Sequence, residues 1–426
     1  MSGNQIVVIG GGLAGLTAAA TAARAGATVT LLEAREHEGG RARTATVEGG
    51  FLFNQGPHAL YAGRGGIGVL RELGVEPRGK RPPLRGYGRY RGEIGLLPGT
   101  PADLVKSPVV SARAKLQLGK ALANPKRLLR TETAGKSMRT WIDEQLSHAD
   151  ARAVVTMAAR VATYCDDLED LAAEIAVPQT VSALTDGVLY LDGGWQCLVD
   201  GLRVAAERAG VKIVTGAKAT AVEHHGARRR VAANDAAYDA DAVVVATGGA
   251  SHADELLGGA SATVAAWARA ARPVHAATLD LGLRTIPVPE RRVVFGVDEP
   301  LYLSFHTPSA ALAPEGGEVV HVMRYGTDAT ADPAAVRAEL EAFLDAAQPG
   351  WRDAVVAVRF NRQLVVAYDR PTPAQGAAGR PVATVADAPG VYVAGDWVGP
   401  EGLLADASLA SGRAAGSLAA SGASTA

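Results

Sequence analysis

The chain has 426 residues, 43 basic and 44 acidic, for a formal net charge of −1. That length suits two or more domains around a large core, and the balanced charge excludes the positive footprint of a nucleic-acid binder. A composition that is 48% hydrophobic with 50 glycines and 22 prolines excludes a disordered or fibrous chain.

Smaller features narrow this further. The basic runs at Arg127–Arg130 and Arg228–Arg230 read as solvated helix faces or turns. Cys165 and Cys197 are too few for a metal cluster or a disulfide framework, and read as small buried residues. The opening "MSGNQIVVIG" lacks the basic and long apolar regions of a signal peptide, and no apolar run reaches spanning length. A cytoplasmic protein is therefore expected, with peripheral membrane contact through an apolar groove and a homodimer both left open.

In chain order, "QIVVI" (5–9) reads as a strand buried on both faces. Three glycines follow, and "LAGLTAAATAARAG" reads as a helix closed near Gly26. "TVTLLE" is a second strand ending at Glu33, which completes a β-α-β unit. Residues 100–178 read mostly as helices, namely "SARAKLQLGKAL", "SMRTWIDEQL", "ARAVVTMAARVATY" and "DLEDLAAEIA". From Trp195 a helix, "CLVDGLRVAAERAG", precedes short strands that end in the buried run "DAVVVATGG". Residues 270–325 alternate as an antiparallel sheet does, 333–347 form a helix, and "GVYVAGDW" leads through a loop into a last helix. The organisation is thus interleaved. One nucleotide-binding domain comes from 1–85, 190–260 and 380–420. A second domain is inserted as 86–189, mainly helical, and 261–379, a sheet with a helix. A short "ASGASTA" tail is of low complexity.

At the first turn, Gly10-x-Gly12-x-x-Gly15 fits three separate needs. Gly10 permits the tight exit from the strand, Gly12 leaves the helix N-terminus open to a pyrophosphate, and Gly15 lets the helix pack closely on the sheet. Leu13 and Ala14 complete the turn. Glu33, 18 positions after Gly15 at the tip of the next strand, stands where a carboxylate would hold a ribose diol. This unit alone does not separate NAD from FAD.

The next stretch does, through a resemblance. "VVIGGGLAGLTAAATAARAGATVTLLEA" followed by "GGRART" (Gly39–Thr44) resembles the superfamily of flavin-containing amine oxidases, protoporphyrinogen oxidases and carotenoid desaturases. Further matches follow in order: "NQGPHAL", "DGGWQCLVDGL", "VTGAKATAVEH", "DAVVVATGG" and "GVYVAGDWVGPEGLLADASLASGRAAG". They cover the whole nucleotide domain and little of the insert. The resemblance implies an α/β Rossmann-like FAD-binding domain of the GR2 type, discontinuous in sequence, with an inserted α+β substrate domain. It implies non-covalent FAD held by Glu33, Ala34, Arg35, Gly39 and Gly40, with Arg41 and Arg43 near pyrophosphate or ribityl. The plain alternative for both arginines is a surface cation beside Glu36 and Glu38. Gly56, Pro57 and His58 would approach the isoalloxazine, Ala219 the adenine, and Thr247 and Gly248 the end of the buried strand. Asp396, after Gly395, would meet the ribityl or pyrophosphate. Gly402, Leu403, Leu404 and Ala407 would bring a helix N-terminus to the pyrimidine side.

Departures from the family pattern bear on substrate. No lysine follows Lys218, and Leu404 with Ala405 stands where a cage tyrosine is usual. The expected chemistry is therefore removal of a hydride from a carbon of an apolar or ring-containing metabolite, as in desaturases and porphyrinogen oxidases. Electrons would pass on to dioxygen, a quinone or another acceptor. An amine oxidase with a non-standard cage and a non-redox flavin protein, such as an isomerase, are the alternatives. His58, Tyr61 and Trp397 are the catalytic candidates, His58 having a backbone-bound histidine as its alternative. Trp195, Tyr302 and His306 are weaker ones. No metal is expected: Glu169, Asp170 and Glu174 read as a solvated helix face.

Overall fold

The structure is a computed structural model that describes residues 4–63, 65–83, 86–99 and 101–422. β1 (Gln5–Ile9) lies at the centre of a five-stranded parallel sheet. Its apolar run is buried because α1 (Leu13–Arg24) and neighbouring layers cover both faces, as a parallel sheet requires. The sheet order is Lys212–Val214, β2 (Thr28–Leu32), β1, Ala242–Val245 and Val391–Val393. Ile9 is level with Leu32 and Val245, and these with Val214 and Val393. The carboxyl ends of the strands therefore share one edge, where open α/β sheets place their ligands.

Alanine and glycine set how closely the helices approach. The last helix, Leu404–Ser421, lies along α1. A Cβ on Gly412 would stand 2.4 Å from the carbonyl oxygen of Ala14, and one on Gly416 2.4 Å from that of Ala18. The two backbones touch, and the N-termini of both helices are fixed relative to the sheet edge.

The inserted part holds a seven-stranded sheet. Strand Val274–Leu283 pairs antiparallel with Glu318–Tyr325 and Val355–Ala367. Alternation gives it two unlike faces. Leu279, Leu281, Leu303, Val320 and Val322 pack under helix Pro333–Ala347. Thr278, Asp280, Tyr302, Ser304, His321 and Tyr325 occupy the alternate positions and are buried too. Beside the sheet, helices Ala112–Ala123, Met138–Gln145, Ala149–Thr163 and Ala173–Thr185 pack around Trp141, Ile142 and Met157. Ser111 and Ser137 start the first two by accepting N–H bonds from Ala114 and Thr140.

Two expectations are corrected. "DLEDLAAEIA" is helical only from Ala173. The backbone of 168–172 is spent elsewhere: Arg139 and Met138 donate to Leu168 and Leu171, and Ala172 donates to Pro371. Glu169 and Asp170 accordingly leave the helix and face Arg139 and Arg370, while Glu174 accepts from the Ala377 N–H. The Arg228–Arg230 run is a strand and not a turn, and Arg229 is buried with its guanidinium on the Pro389 carbonyl. Most of the "ASGASTA" tail, 423–426, lies outside the described residues.

Candidate active site

At the sheet edge the glycine turn takes the form that its spacing requires. Gly10 has φ +105°, and a Cβ there would stand 2.7 Å from the Ala246 carbonyl oxygen. A Cβ on Gly15 would stand 1.8 Å from the carbonyl oxygen of Gly10, so only hydrogen allows α1 to begin there. A Cβ on Gly12 would meet nothing within 4 Å. Leu13 and Ala14 are buried in the first turn of α1. Glu33, 8% exposed, accepts the Gly11 N–H at 2.7 Å and the Arg35 N–H at 2.9 Å, bracketing Ala34.

The Gly39–Arg43 turn docks against this first turn. Gly39 donates its N–H to Gly11 O at 2.8 Å, and Gly40 has φ +52° beside Gly12. Arg41 turns inward, with Nη1 donating to Asp396 Oδ2 and to Val366 O, both at 2.7 Å. Its guanidinium lies 4.5 Å from the centre of the Tyr368 ring. Burial works against the Arg41 charge, but Asp396 outweighs it and holds the guanidinium pKa above its ordinary value. Arg43 goes the other way. It lines an outer cleft of about 600 Å³ with Glu36, His37, Glu38 and Asp200, which favours its surface-cation alternative.

Asp396 is 1% exposed, and its second oxygen, Oδ1, has no partner among the described residues. Its backbone carbonyl accepts from Arg380, which also caps Gly402 O at 2.9 Å. Gly395 exchanges hydrogen bonds with the Ser411 hydroxyl at 2.9 and 3.0 Å, which fixes the strand end to the last helix. Beside them Asp369 accepts the Arg272 N–H at 2.7 Å, and burial pushes its carboxyl up to about 6. Leu403 is the N-cap of the last helix, and Ala407 lies buried in its first turn. Leu404 has φ +55°, a left-handed backbone that a branched side chain adopts only at a cost, and such residues cluster at functional sites.

The segment after Asn54 forms a third wall. Asn54 Oδ1 accepts from the Trp195 N–H at 2.9 Å and from the Thr44 hydroxyl at 2.7 Å, tying three separate stretches together. Gly56, with φ +78°, sits on Thr278, and the Pro57 carbonyl accepts from the Tyr164 hydroxyl at 3.2 Å. The ring of His58 donates from Nδ1 to Gly56 O at 3.1 Å and packs edge-on against Trp195 at 4.8 Å. Burial lowers its pKa to about 4, although the carbonyls of Gly56 and Arg41 act the other way. Its Nδ1 contact with the Gly56 carbonyl is the one that the backbone-bound alternative calls for.

Behind this wall lies a buried cluster of rings. Tyr190 stacks on His306 at 3.8 Å and bonds the Tyr302 and Ser304 hydroxyls at 3.2 and 2.8 Å. His306 meets His321 edge-on at 4.6 Å, and His321 Nδ1 donates to Asp280 Oδ1 at 2.7 Å. Asp280 also holds Arg359 at 2.8 Å, and Arg359 reaches the Asn54 carbonyl. Burial, then the neighbouring His321 and His58, push the His306 pKa well down, and burial raises those of Tyr164 and Tyr302. Sequence reasoning missed Asp280, His321 and Arg359. The signal was polar residues two apart in otherwise apolar strands, Thr278 with Asp280 and Arg359 with Asn361, facing His321 of a third strand.

The other predicted residues fall as follows. Tyr61 is buried, with its hydroxyl on Ala162 O at 2.6 Å. Trp397 is in the core of the nucleotide domain, edge-on to Trp267 at 6.1 Å, and is not in the ring cluster. Ala219 starts a strand paired to Ala233 with a bulge, Thr247 lies beside Gly10 at the sheet edge, and Gly248, with φ +59°, packs on His252. Cys165 is buried, and burial raises its thiol to about 12; Cys197 is half-buried, raised to about 11.

Comparison with known proteins gives a consistent result. The family described as "Flavin containing amine oxidoreductase" matches residues 13–419. Over 121 residues the chain is 33% identical to mitochondrial protoporphyrinogen oxidase of Nicotiana tabacum, covering 28% of this chain and 24% of that protein. Over 251 residues it is 29% identical to carotenoid 3,4-desaturase of Haloarcula japonica, covering 51% of this chain and 50% of the relative. The chain thus spans between a quarter and a half of these relatives' length. A crystal structure of an oxidoreductase from Methanosarcina mazei shares the fold, with a TM-score of 0.78 at 20% identity over 96% of this chain and 99% of that one.

Proposed function

Because the chain belongs to the family of flavin-containing amine oxidoreductases, we propose that it is an FAD-dependent oxidoreductase acting on a carbon of a ring-containing or apolar metabolite. The carrying observation is the line from Glu33 through Gly12 to Arg41 and Asp396. The residues present fit FAD on three counts: the space above Gly12 is open, Asp396 Oδ1 is buried without a partner, and Glu33 presents a buried carboxylate. Glu33 would take the ribose, the N-terminus of α1 and Arg41 the pyrophosphate, and Asp396 a ribityl hydroxyl. Bound there without a covalent link, FAD supplies a two-electron acceptor for a hydride.

The chain's own groups do the rest. The Gly56–His58 turn, braced by Thr278 and Asn54, forms a rigid wall to the site. The helix N-terminus at Leu404 offers N–H groups to negative charge on its side of the cradle. The buried ring cluster behind that wall would back the substrate side of the site and keep water from it. Its tyrosines also support the second reading, an amine substrate held by rings other than the usual cage pair.

The test is direct. The purified protein should be yellow, and its flavin should be released by acid precipitation. Anaerobic mixing with porphyrinogens, polyenes and amines should bleach it with the first or second class. A colourless protein that gains no flavin absorbance with FAD ends the proposal, and bleaching by small primary amines selects the second reading.

A further inference from the structure

A second cleft, of about 400 Å³, opens where three parts of the inserted domain meet. Its lining comes from 165–167, just after helix Ala149–Thr163, from 273–275 at the start of strand Val274–Leu283, and from 326–329 after strand Glu318–Tyr325. Gln363 and Arg370 complete it.

This cleft lies one side chain away from the wall at Gly56–His58. Cys165 lines it, and the residue before, Tyr164, donates its hydroxyl to the Pro57 carbonyl at 3.2 Å. Gly326 lines it, and the residue before, Tyr325, meets the Tyr164 ring edge-on at 6.4 Å. Tyr325 is buried, and its hydroxyl has no partner among the described residues, which leaves a donor for a ligand to satisfy. Gln363 lines it too, and three residues further along the same strand the Val366 carbonyl holds Arg41.

Backbone geometry singles out Tyr164. Among the described residues, four other than glycine have a left-handed backbone. Arg91 and Asn234 occupy two-residue hairpin turns, which favour positive φ. The other two are Leu404, at the cradle, and Tyr164, with φ +58°, which ends helix Ala149–Thr163 where glycine is usual.

Charge decides what the cleft admits. Arg160 pairs with Asp166 at 2.6 Å, and Arg370 is shared between Asp167 at 2.6 Å and Asp170 at 3.0 Å. Asp328 accepts from the Thr330 N–H and hydroxyl and has no cation beside it among the described residues. Burial holds the His275 pKa below its ordinary value, so that ring adds no charge at neutral pH. Four carboxylates against two guanidiniums leave the mouth negative.

We propose that this cleft is the entrance by which substrate reaches the flavin-facing wall, with Tyr164 as its gate. Its carboxylates pass neutral or cationic ligands and turn away anionic ones. The inference rests on the flavin reading above, and narrows the substrate to a ring-containing or apolar molecule without carboxylate groups.

The test uses the FAD-loaded protein and three small quenchers of flavin fluorescence: neutral acrylamide, anionic iodide and cationic N-methylpyridinium. Measured against free FAD, iodide should be hindered most and the cation least. Ala329→Trp, which fills the cleft, should lower acrylamide quenching by about 3-fold or more, and Tyr164→Ala should raise it by a similar factor. Asp167→Asn with Asp328→Asn should raise iodide quenching by roughly 2- to 4-fold and leave acrylamide unchanged. Thermal melting and bound-flavin absorbance confirm that each variant keeps its fold and cofactor, and Ala329→Trp alone decides the entrance if Tyr164→Ala melts early. Bound flavin whose quenching ignores Ala329→Trp overturns the entrance, and equal hindrance of all three quenchers overturns the charge selection. A chain that takes up no FAD refutes the flavin reading itself, and this inference with it.

Discussion

Gly12 and Gly15 stand three residues apart in one turn, yet alanine at each should fail in a different way. At Gly15 the new Cβ would lie 1.8 Å from the Gly10 carbonyl oxygen, well inside any real contact distance. That oxygen belongs to backbone pinned by the Gly10 N–H bond to Leu32 O at 2.8 Å, so α1 itself must move by more than an ångström. Overpacking of that kind costs about 3 kcal/mol or more, and the apoprotein should melt at a markedly lower temperature. At Gly12 the backbone has φ −80° and ψ −175°, which alanine adopts freely, and its Cβ meets nothing within 4 Å. Losing the glycine N-cap costs under about 1 kcal/mol. The methyl would instead stand in the approach to the N-terminus of α1 and remove one or two charge-assisted hydrogen bonds to a pyrophosphate. That is about 2–4 kcal/mol, or roughly 30- to 900-fold in Kd. Titration of each apoprotein with FAD, followed by quenching of flavin fluorescence and paired with a thermal melt, separates the two effects. Wild-type FAD affinity in Gly12→Ala would refute the placement of the dinucleotide over this turn.

Other substitutions probe the remaining walls. Arg41→Lys keeps a charge but cannot hold Asp396 and Val366 O together, and FAD affinity should fall by roughly 10- to 100-fold; an unchanged titration would remove Arg41 from the cradle. Asp280→Ala leaves His321 buried and Arg359 half-buried beside a missing carboxylate and should cost about 3–5 kcal/mol in urea unfolding; a loss below about 1 kcal/mol would mean that the ring cluster repacks freely. Burial raises the folded pKa of Asp369 to about 6, above the ~3.9 of a free aspartate, so its stabilising share is complete below that lower value and lost as pH rises through 6. Asp369→Asn should therefore raise the melting temperature at pH 8 by the equivalent of about 2–3 kcal/mol and change little at pH 4. A benefit that is equal at both pH values would contradict the buried-carboxyl explanation.

What could be read from residues alone was what local backbone geometry dictates. Gly10, Gly12 and Gly15 differ in what a side chain would strike, and their spacing after a buried strand announces those differences. Glu33 is placed by the length of one β-α-β unit. The pairing of Arg41 with Asp396 crosses 355 positions and depends on how the last strand returns to the sheet, which no local pattern encodes. The orientation of Arg43 was equally hidden, since two arginines one residue apart point to opposite sides of a 3-10 turn. The insert misled in another way. Its strands read as apolar because their polar residues are spaced two apart among aliphatics, whereas that spacing gathers Thr278, Asp280, His321, Arg359 and Asn361 on one face. The helix expected over "DLEDLAAEIA" was shortened because backbone groups at 168–172 found partners in 136–139 and at Pro371.

The contact of Gly412 and Gly416 with Ala14 and Ala18 also bears on how the molecule is made. A ribosome delivers α1 well before the helix that covers it at backbone distance, which emerges some 400 residues later. At 5–20 residues per second that interval is on the order of 20–80 s. Throughout it the alanine face of α1 and the far edge of the central sheet wait without their final neighbours. Assembly of the cradle is thus a late event, well suited to a chaperone that shields the early segment. Translation that stops before Leu404 should leave that face of α1 uncovered.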